Sequence, residues 1–434
     1  MLVENPYYEV PQAIAKTNAL IANPAVPAIF EAALVHDNVL IRVDALERLP
    51  DGRWRLNEVK SSTRVKDEHL EELAFQAHVI VANHLELADV YLVHINKEYI
   101  RNRAIDLNEF FVSEDVTENV IPLLSTVPRQ IAEMHSVLRL PEAPTIRPSR
   151  HCFQPHDCEF WQRCISDKPA DWVFYIPRLT KQVFDRFERY GYESMEEIPA
   201  SFANQLTAIQ QRVVNAAKSG NVYRSPELAK ELTAVAPPVG YLDFETFNPA
   251  IPLYPNTSPY QRIPFQWSLH HDAGSGDLTH SEFLADGEID PRREFAETLL
   301  AAVEGVLGPV TVWSPFEASV IQELSGLFPE LADRLAAVLD RIVDLLPIVR
   351  NHVVHPAFRG SYALKAVAPA VAPEIVYDGE ITKGSEASAA FYWVAADPTL
   401  SPQTRAALQQ ALLKYCADDS LGLARVHQWL KSED

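Results

Sequence analysis

Cysteine is scarce in this sequence, four in 434 residues, and three of the four fall between Cys152 and Cys164. That pattern excludes a framework of disulfides and suits metal ligands or reduced thiols. Long apolar runs are missing too. No window approaches the roughly 18 consecutive apolar residues that span a bilayer, so no membrane partner is expected. The opening Met1-Leu-Val-Glu-Asn-Pro lacks the basic and apolar regions of a secretory leader, and the expected location is the cytoplasm. Internal repeats and long low-complexity tracts are also absent. Cationic residues are outnumbered, 38 Lys and Arg against 59 Asp and Glu, for a formal net charge of −21. Such a charge argues against capture of DNA or RNA by overall attraction. A nucleic-acid partner would require a local basic groove, or cations that offset clustered carboxylates.

What is present is a chain with 47% apolar and 22% charged residues, long enough for two or three domains each burying a core. The pattern predicts a short helix from Pro27 to about Leu34. Strands Val39–Leu46 and Arg53–Val59 follow, joined by the hairpin signal Leu49-Pro-Asp-Gly. Asp67 is placed to cap a helix carrying Leu70, Leu73, Ala74, Ala77 and Val81 at helical spacing. Val90–Ile95 reads as a strand and Ile121–Leu138 as an amphipathic helix. These make a first α/β domain over residues 1–165. A helical connector is expected over 166–236, with Ser225 to Pro238 as a linker, and a second α/β domain over 237–434.

Two constellations carry chemistry. In the first, Asp44 ends one strand, while Glu58 and Lys60 lie two apart on the next and so share a face. A divalent ion held by Asp44 and Glu58 would polarise a phosphate and acidify a bound water, with Lys60 orienting that water or stabilising developing charge. These residues resemble the PD-(D/E)XK superfamily, in particular RecB-like nucleases, over roughly Pro27 to Cys164. The resemblance implies that Glu31, in the preceding helix, joins Asp44 and Glu58 as a metal ligand, that Glu58 and Lys60 are catalytic, and that Gln76 contacts substrate. Ile80 stands where the family often has a tyrosine.

Cys152, Cys158 and Cys164 are soft ligands spaced about six apart, with His151 and His156 nearby. RecB-like nucleases often use three such cysteines and one far upstream to bind an iron–sulfur cluster, and no cysteine precedes Cys152 here. Three readings stand: a [4Fe–4S] cluster with a histidine or external fourth ligand, a Zn²⁺ site using His151 or His156, or three unmetallated thiols. Cys416 is assigned to none of them.

The second constellation begins with Asp243 and Glu245 on the apolar strand Gly240-Tyr-Leu-Asp-Phe-Glu. Two carboxylates on one face of a near-buried strand are costly unless cations compensate them. The alternative is a solvated pair at a sheet edge. Glu317 follows the strand at Val310, and Tyr415 and Asp419 share a face of a helix beginning about Pro402. Together they resemble the DnaQ-like, or DEDD, 3′–5′ exonucleases of the RNase H fold. The resemblance implies Mg²⁺ or Mn²⁺ held by Asp243, Glu245, Glu317 and Asp419, with Asp243 also catalytic and Tyr415 positioning the attacking water. Glu317 replaces the family's aspartate, Trp313-Ser-Pro its usual asparagine, and Asp344 is a further candidate acid.

The whole resembles a bacterial arrangement in which a PD-(D/E)XK core and a helical connector lead to an RNase H-like domain described as a domain of unknown function. The implied activity is metal-dependent cleavage of nucleic acid, DNA before RNA, in repair or defence with a protein partner. The alternatives are a nucleic-acid-binding scaffold with inactive sites and a phosphodiesterase acting on small molecules.

Overall fold

The computed structural model describes residues 1–432 as a mixed α/β protein. Its contacts divide it into two units. One is Met1–Thr145 with Pro249–Gln261, and the other is Ile146–Asn248 with the chain from Arg262 onward. The cysteine segment and the expected connector therefore group with the second unit.

In the first unit, α1 (Val10–Ala22) precedes β1 (Ala28–His36), β2 (Val39–Arg48), β3 (Trp54–Lys60), α2 (Asp67–Ala82), β4 (Leu87–Ile95) and β5 (Phe111–Asp115). The strands form one sheet in chain order, antiparallel except for the parallel pair β3 and β4 that α2 connects. The helix expected at Pro27–Leu34 is instead β1. Its ladder with β2 runs from Ala28 opposite Glu47 to His36 opposite Val39, overriding the helical propensity of its Ala, Leu and Glu. Asp37 and Asn38, at φ 49° and 58°, close that hairpin, a turn signal legible in the sequence. Because β2 continues to Arg48, Asp44 lies within the strand rather than at its end. Asp67 is the first residue of α2, not its cap; Lys66 holds that place without a side-chain bond. The helix expected over Ile121–Leu138 is broken into α3 (Thr117–Leu124) and α4 (Val127–Leu138). Pro128, with no N–H to donate, is tolerated because it falls in the first turn of α4.

The segment Pro249–Gln261 completes this unit. Arg101 donates to the carbonyls of Pro252 at 2.6 Å and Leu253 at 2.7 Å and bridges to Thr257, while Ala250 and Tyr260 pack on Ile95, Tyr99 and Phe110.

In the second unit, α5 (Lys181–Tyr190) and α6 (Ala208–Ser219) share a core of Phe184, Phe187, Phe202 and Val214. The expected linker is packed structure: Leu228, Leu232 and Val235 are buried beside Val239 and Tyr241. Next come β6 (Val239–Phe247), β7 (Ile263–Asp272), β8 (Leu278–Leu284), α7 (Arg292–Glu304), β9 (Val310–Val312), α8 (Phe316–Leu327) and β10 (Ile342–Asp344). They are followed by α9 (Leu364–Val371), α10 (Gly384–Ala396) and α11 (Pro402–Lys431). The sheet order is β10-β9-β6-β7-β8, with β6 parallel to β9 and antiparallel to β7. Strand alternation sends Leu242 and Phe244 to a core with Leu299 of α7, and Tyr241 to the opposite core with Leu423 of α11. Asp243 and Glu245 share the Tyr241 face. No helix among the described residues is long and apolar enough to cross a membrane.

Candidate metal centre and a second carboxylate site

The sheet-edge reading of Asp243 and Glu245 fails because β6 is the central strand. Opposite them on β7 stand Ser268 and Gln266, and both neighbours help to seat α11. Gln266 Nε2 donates to the Leu412 carbonyl at 2.8 Å, and the Ser420 hydroxyl meets Ser268 Oγ at 2.7 Å and His270 Nδ1 at 2.8 Å. These buried polar ties fix the rotation of α11 about its axis, since an unpaired hydroxyl or amide here would cost about 1–3 kcal/mol. The rotation delivers Tyr415, Cys416 and Asp419 to the face of β6 that carries the two acids.

Carboxylate oxygens of Asp243, Glu245 and Asp419 lie within 4.8 Å of one another, the one such group of three among the described residues. Glu245, Glu317 and Asp419 are buried and Asp243 is half-buried. Glu317 enters from the first turn of α8, its carboxylate accepting from Ser314 Oγ at 3.4 Å. Burial, followed by the charges of Asp419, Glu245 and Glu317, drives the Asp243 carboxyl well above the ordinary range. Burial and Asp419 do the same to Glu245, and burial, with Asp344 and Asp419 adding to it, pushes Glu317 up to about 7. Burial also raises Asp419, with Lys365 pulling in the opposite direction.

The donor set fits a hard divalent cation. All ligands are carboxylate oxygens, the preference of Mg²⁺ and Mn²⁺ over softer metals, and Asp419 Oδ1 is buried with no hydrogen-bond partner. Asp344 takes a different part. Its carboxylate accepts from the Leu346 amide at 2.9 Å and caps the helix that follows.

Three side chains escaped the sequence reading. Lys365 of α9 stands 3.5 Å from Asp419 Oδ2, donates to the Tyr415 hydroxyl and to the Thr382 carbonyl, and rests 3.8 Å from the Tyr415 ring centroid. The buried Cys416 thiol donates to Asp243 Oδ2 at 3.3 Å. Tyr377 brings a buried hydroxyl near Asp419. Nothing in the pattern Ala363-Leu-Lys-Ala-Val singles out Lys365, whereas Cys416 is flagged by its place beside Tyr415. Burial pushes the Tyr415 phenol upward, so it remains protonated.

In the first unit the structure brings together Asp44, Glu58, Lys60 and Gln76. Glu58 is 5% exposed and fully engaged: Lys60 Nζ donates to Oε1 at 2.7 Å and Gln76 Nε2 to Oε2 at 2.8 Å. Asp44 Oδ2 accepts from the Val59 amide at 2.7 Å. Burial raises the Glu58 pKa, with Lys60 and Gln76 opposing it and Asp44 reinforcing it. Burial draws the Lys60 ammonium down, but Glu58 and Glu72 outweigh it and the net shift is upward. Glu72, 2.7 Å from Lys60, was missed, although its place one turn before Gln76 puts both on one face of α2. Glu31 is not in a helix. It sits in β1 at φ 57°, between the paired positions Phe30 and Ala32, and opposite the Asp44 stretch of β2.

The cysteines are all free thiols, with Cys152 buried and Cys158 and Cys164 half-buried. The Cys158 amide donates to the Cys152 carbonyl at 2.7 Å, and Trp161 anchors the segment by packing against Phe153 and Phe174.

No curated protein and no solved structure matches the chain. Over residues 240–363, the stretch that carries Asp243, Glu245 and Glu317, the chain is similar to the family described as a domain of unknown function, DUF2779.

Proposed function

We propose that this chain is a metal-dependent nuclease. The observation that carries the reading is the convergence of Asp243, Glu245, Glu317 and Asp419 in a buried site where each carboxyl is pushed upward and where the donors suit Mg²⁺ or Mn²⁺. The resemblance to DEDD exonucleases makes 3′–5′ trimming of single strands the expected reaction, on an RNase H-like domain. Bound divalent ions would supply an acidified water and a stabilised leaving oxygen. Tyr415 accepts a hydrogen bond from Lys365, which leaves its own O–H free to donate to the attacking water or a phosphate oxygen. Lys365 adds a positive charge beside Asp419, where phosphate charge would develop.

The cluster of Asp44, Glu58, Lys60 and Gln76 supports a second, RecB-like nuclease site on a PD-(D/E)XK core, with Asp44 and Glu58 facing a metal and Lys60 the phosphate. One observation favours a binding scaffold at that site: the Lys60 ammonium is already bound by both Glu58 and Glu72. The cysteine segment is proposed as a structural clamp, with an iron–sulfur cluster, Zn²⁺ or no metal.

The test is digestion of end-labelled single- and double-stranded DNA and RNA with Mn²⁺ or Mg²⁺ by the wild type, Asp243→Asn and Lys60→Ala. Shortening from the 3′ end that vanishes with Asp243→Asn is expected. Cleavage lost only with Lys60→Ala assigns the first site, and an inert wild type leaves the scaffold reading.

A further inference from the structure

On a chain of net charge −21, one cavity runs against the average. It lies in the second unit, has a volume of about 520 Å³, and carries Arg150, His151, Arg178, Lys181 and Arg359 on its exposed rim. Asp185 is the one acid lining it, and it pairs with Lys181 at 3.2 Å. Arg178 and Arg359 have no ion-pair partner among the described residues. The wall is aromatic: Phe174 and Tyr175 are half-buried there, and Phe174 stacks on Trp172 at 4.8 Å.

The chain is built to bring the two arginines together. Both hold left-handed backbone, φ 52° at Arg178 and 48° at Arg359, a conformation that bulky side chains seldom adopt. Gly360 lets its loop close on the other strand of chain: a Cβ there would stand 1.6 Å from the Tyr175 carbonyl oxygen. Residues far apart in sequence are thus fixed around one opening.

We infer that this cavity binds a nucleoside-phosphate unit, the phosphate on the arginine rim and the base against the Phe174 and Tyr175 wall. Unpaired guanidinium groups offer forked donors that match phosphate oxygens, and bases stack on aromatic faces regardless of sequence. The volume suits a single nucleotide rather than a duplex. The inference rests on neither acidic site. The unit belongs either to a free nucleotide or to a single strand threaded past the rim.

The experiment is fluorescence anisotropy of a 5′-fluorescein-labelled dT10 strand with the full chain in EDTA, so that no hydrolysis intervenes. AMP, inorganic phosphate and polyglutamate serve as competitors. Arg178→Gln with Arg359→Gln is expected to weaken dT10 binding by roughly tenfold and to flatten its salt dependence. Arg178→Lys with Arg359→Lys, which keeps the charge but not the fork, should restore the salt dependence and only part of the affinity, and unchanged thermal melts would show that the fold is intact. Displacement by AMP at a concentration comparable to that of dT10 assigns the free nucleotide; dT10 binding at least about tenfold tighter assigns the strand. No dT10 or AMP binding, binding indifferent to the arginines, or displacement by phosphate or polyglutamate as readily as by AMP would overturn the inference.

Discussion

Lys365 Nζ lies 3.5 Å from Asp419 Oδ2, the cation set against a cluster of four acids, three of them buried and Asp243 half-buried. Removing it leaves the acids less compensated but more attractive to a divalent ion. Lys365→Met is expected to lower the melting temperature of the metal-free protein and to enlarge the rise produced by Mn²⁺, while slowing cleavage by about tenfold or more. Calorimetric melts with and without Mn²⁺, beside a cleavage assay, check all three.

Asp243→Asn acts in the opposite sense. It removes one of several like charges, so the metal-free variant should be as stable as the wild type or more stable by about 1–2 kcal/mol, even though Cys416 then faces an amide. Cleavage should fall by at least about a hundredfold and the Mn²⁺-induced stabilisation should largely disappear. A destabilised variant that still gains stability from Mn²⁺ would remove Asp243 from the ligand set.

At the other site, Gln76→Leu strips Glu58 Oε2 of its donor in a buried position. A loss of about 1–3 kcal/mol in urea denaturation is expected. Gln76→Glu should cost at least as much near neutral pH, because it places a second acid against Glu58.

Two buried histidines weaken the fold in acid. His427 accepts or donates at Nδ1 with the Tyr241 hydroxyl at 2.7 Å, and burial draws both His427 and His270 down to about 4 from an ordinary 6.5. The unfolded chain therefore takes up these protons first. The histidines' own contribution is full above about pH 6.5 and drains as pH falls towards 4, by on the order of 3 kcal/mol each, while the raised carboxyls of the acidic cluster gain stability over the same window. Melting temperatures of wild type and His427→Gln compared between pH 4 and 7 isolate the effect: the variant should gain on the wild type as pH falls.

Gly308 is a purely steric prediction. A Cβ there would sit 1.6 Å from the Pro238 carbonyl oxygen, so Gly308→Ala should cost about 3 kcal/mol or more, read by thermal melting.

The sequence made the local periodicities legible: β2, β3, α2 and the long α11 fall where alternation and helical spacing put them. The gathering of Asp243 with Glu245 and of Glu58 with Lys60 was legible for the same reason, since residues two apart on a strand share a face. What failed was long-range pairing. β1 looked helical because its composition favours a helix and its partner strand lies beyond a turn. Lys365 was invisible because its role comes from α9 packing beside α11, a relationship that no local pattern encodes. The segment Ser225 to Pro238 read as a linker because prolines and polar residues hide three buried apolar side chains.

The excursion Pro249–Gln261 makes the first unit discontinuous in the chain. A fragment ending at Thr145 would leave Arg101 without the Pro252 and Leu253 carbonyls and would uncover Tyr99 and Phe110 where Tyr260 belongs. The second unit expressed alone would carry that insertion with nothing to fold onto. Each unit thus holds part of the other's covalent path, and the two cannot be shuffled by recombination at a single junction. Exchange of either unit must change the chain at both ends of the Pro249–Gln261 excursion as well as after Thr145.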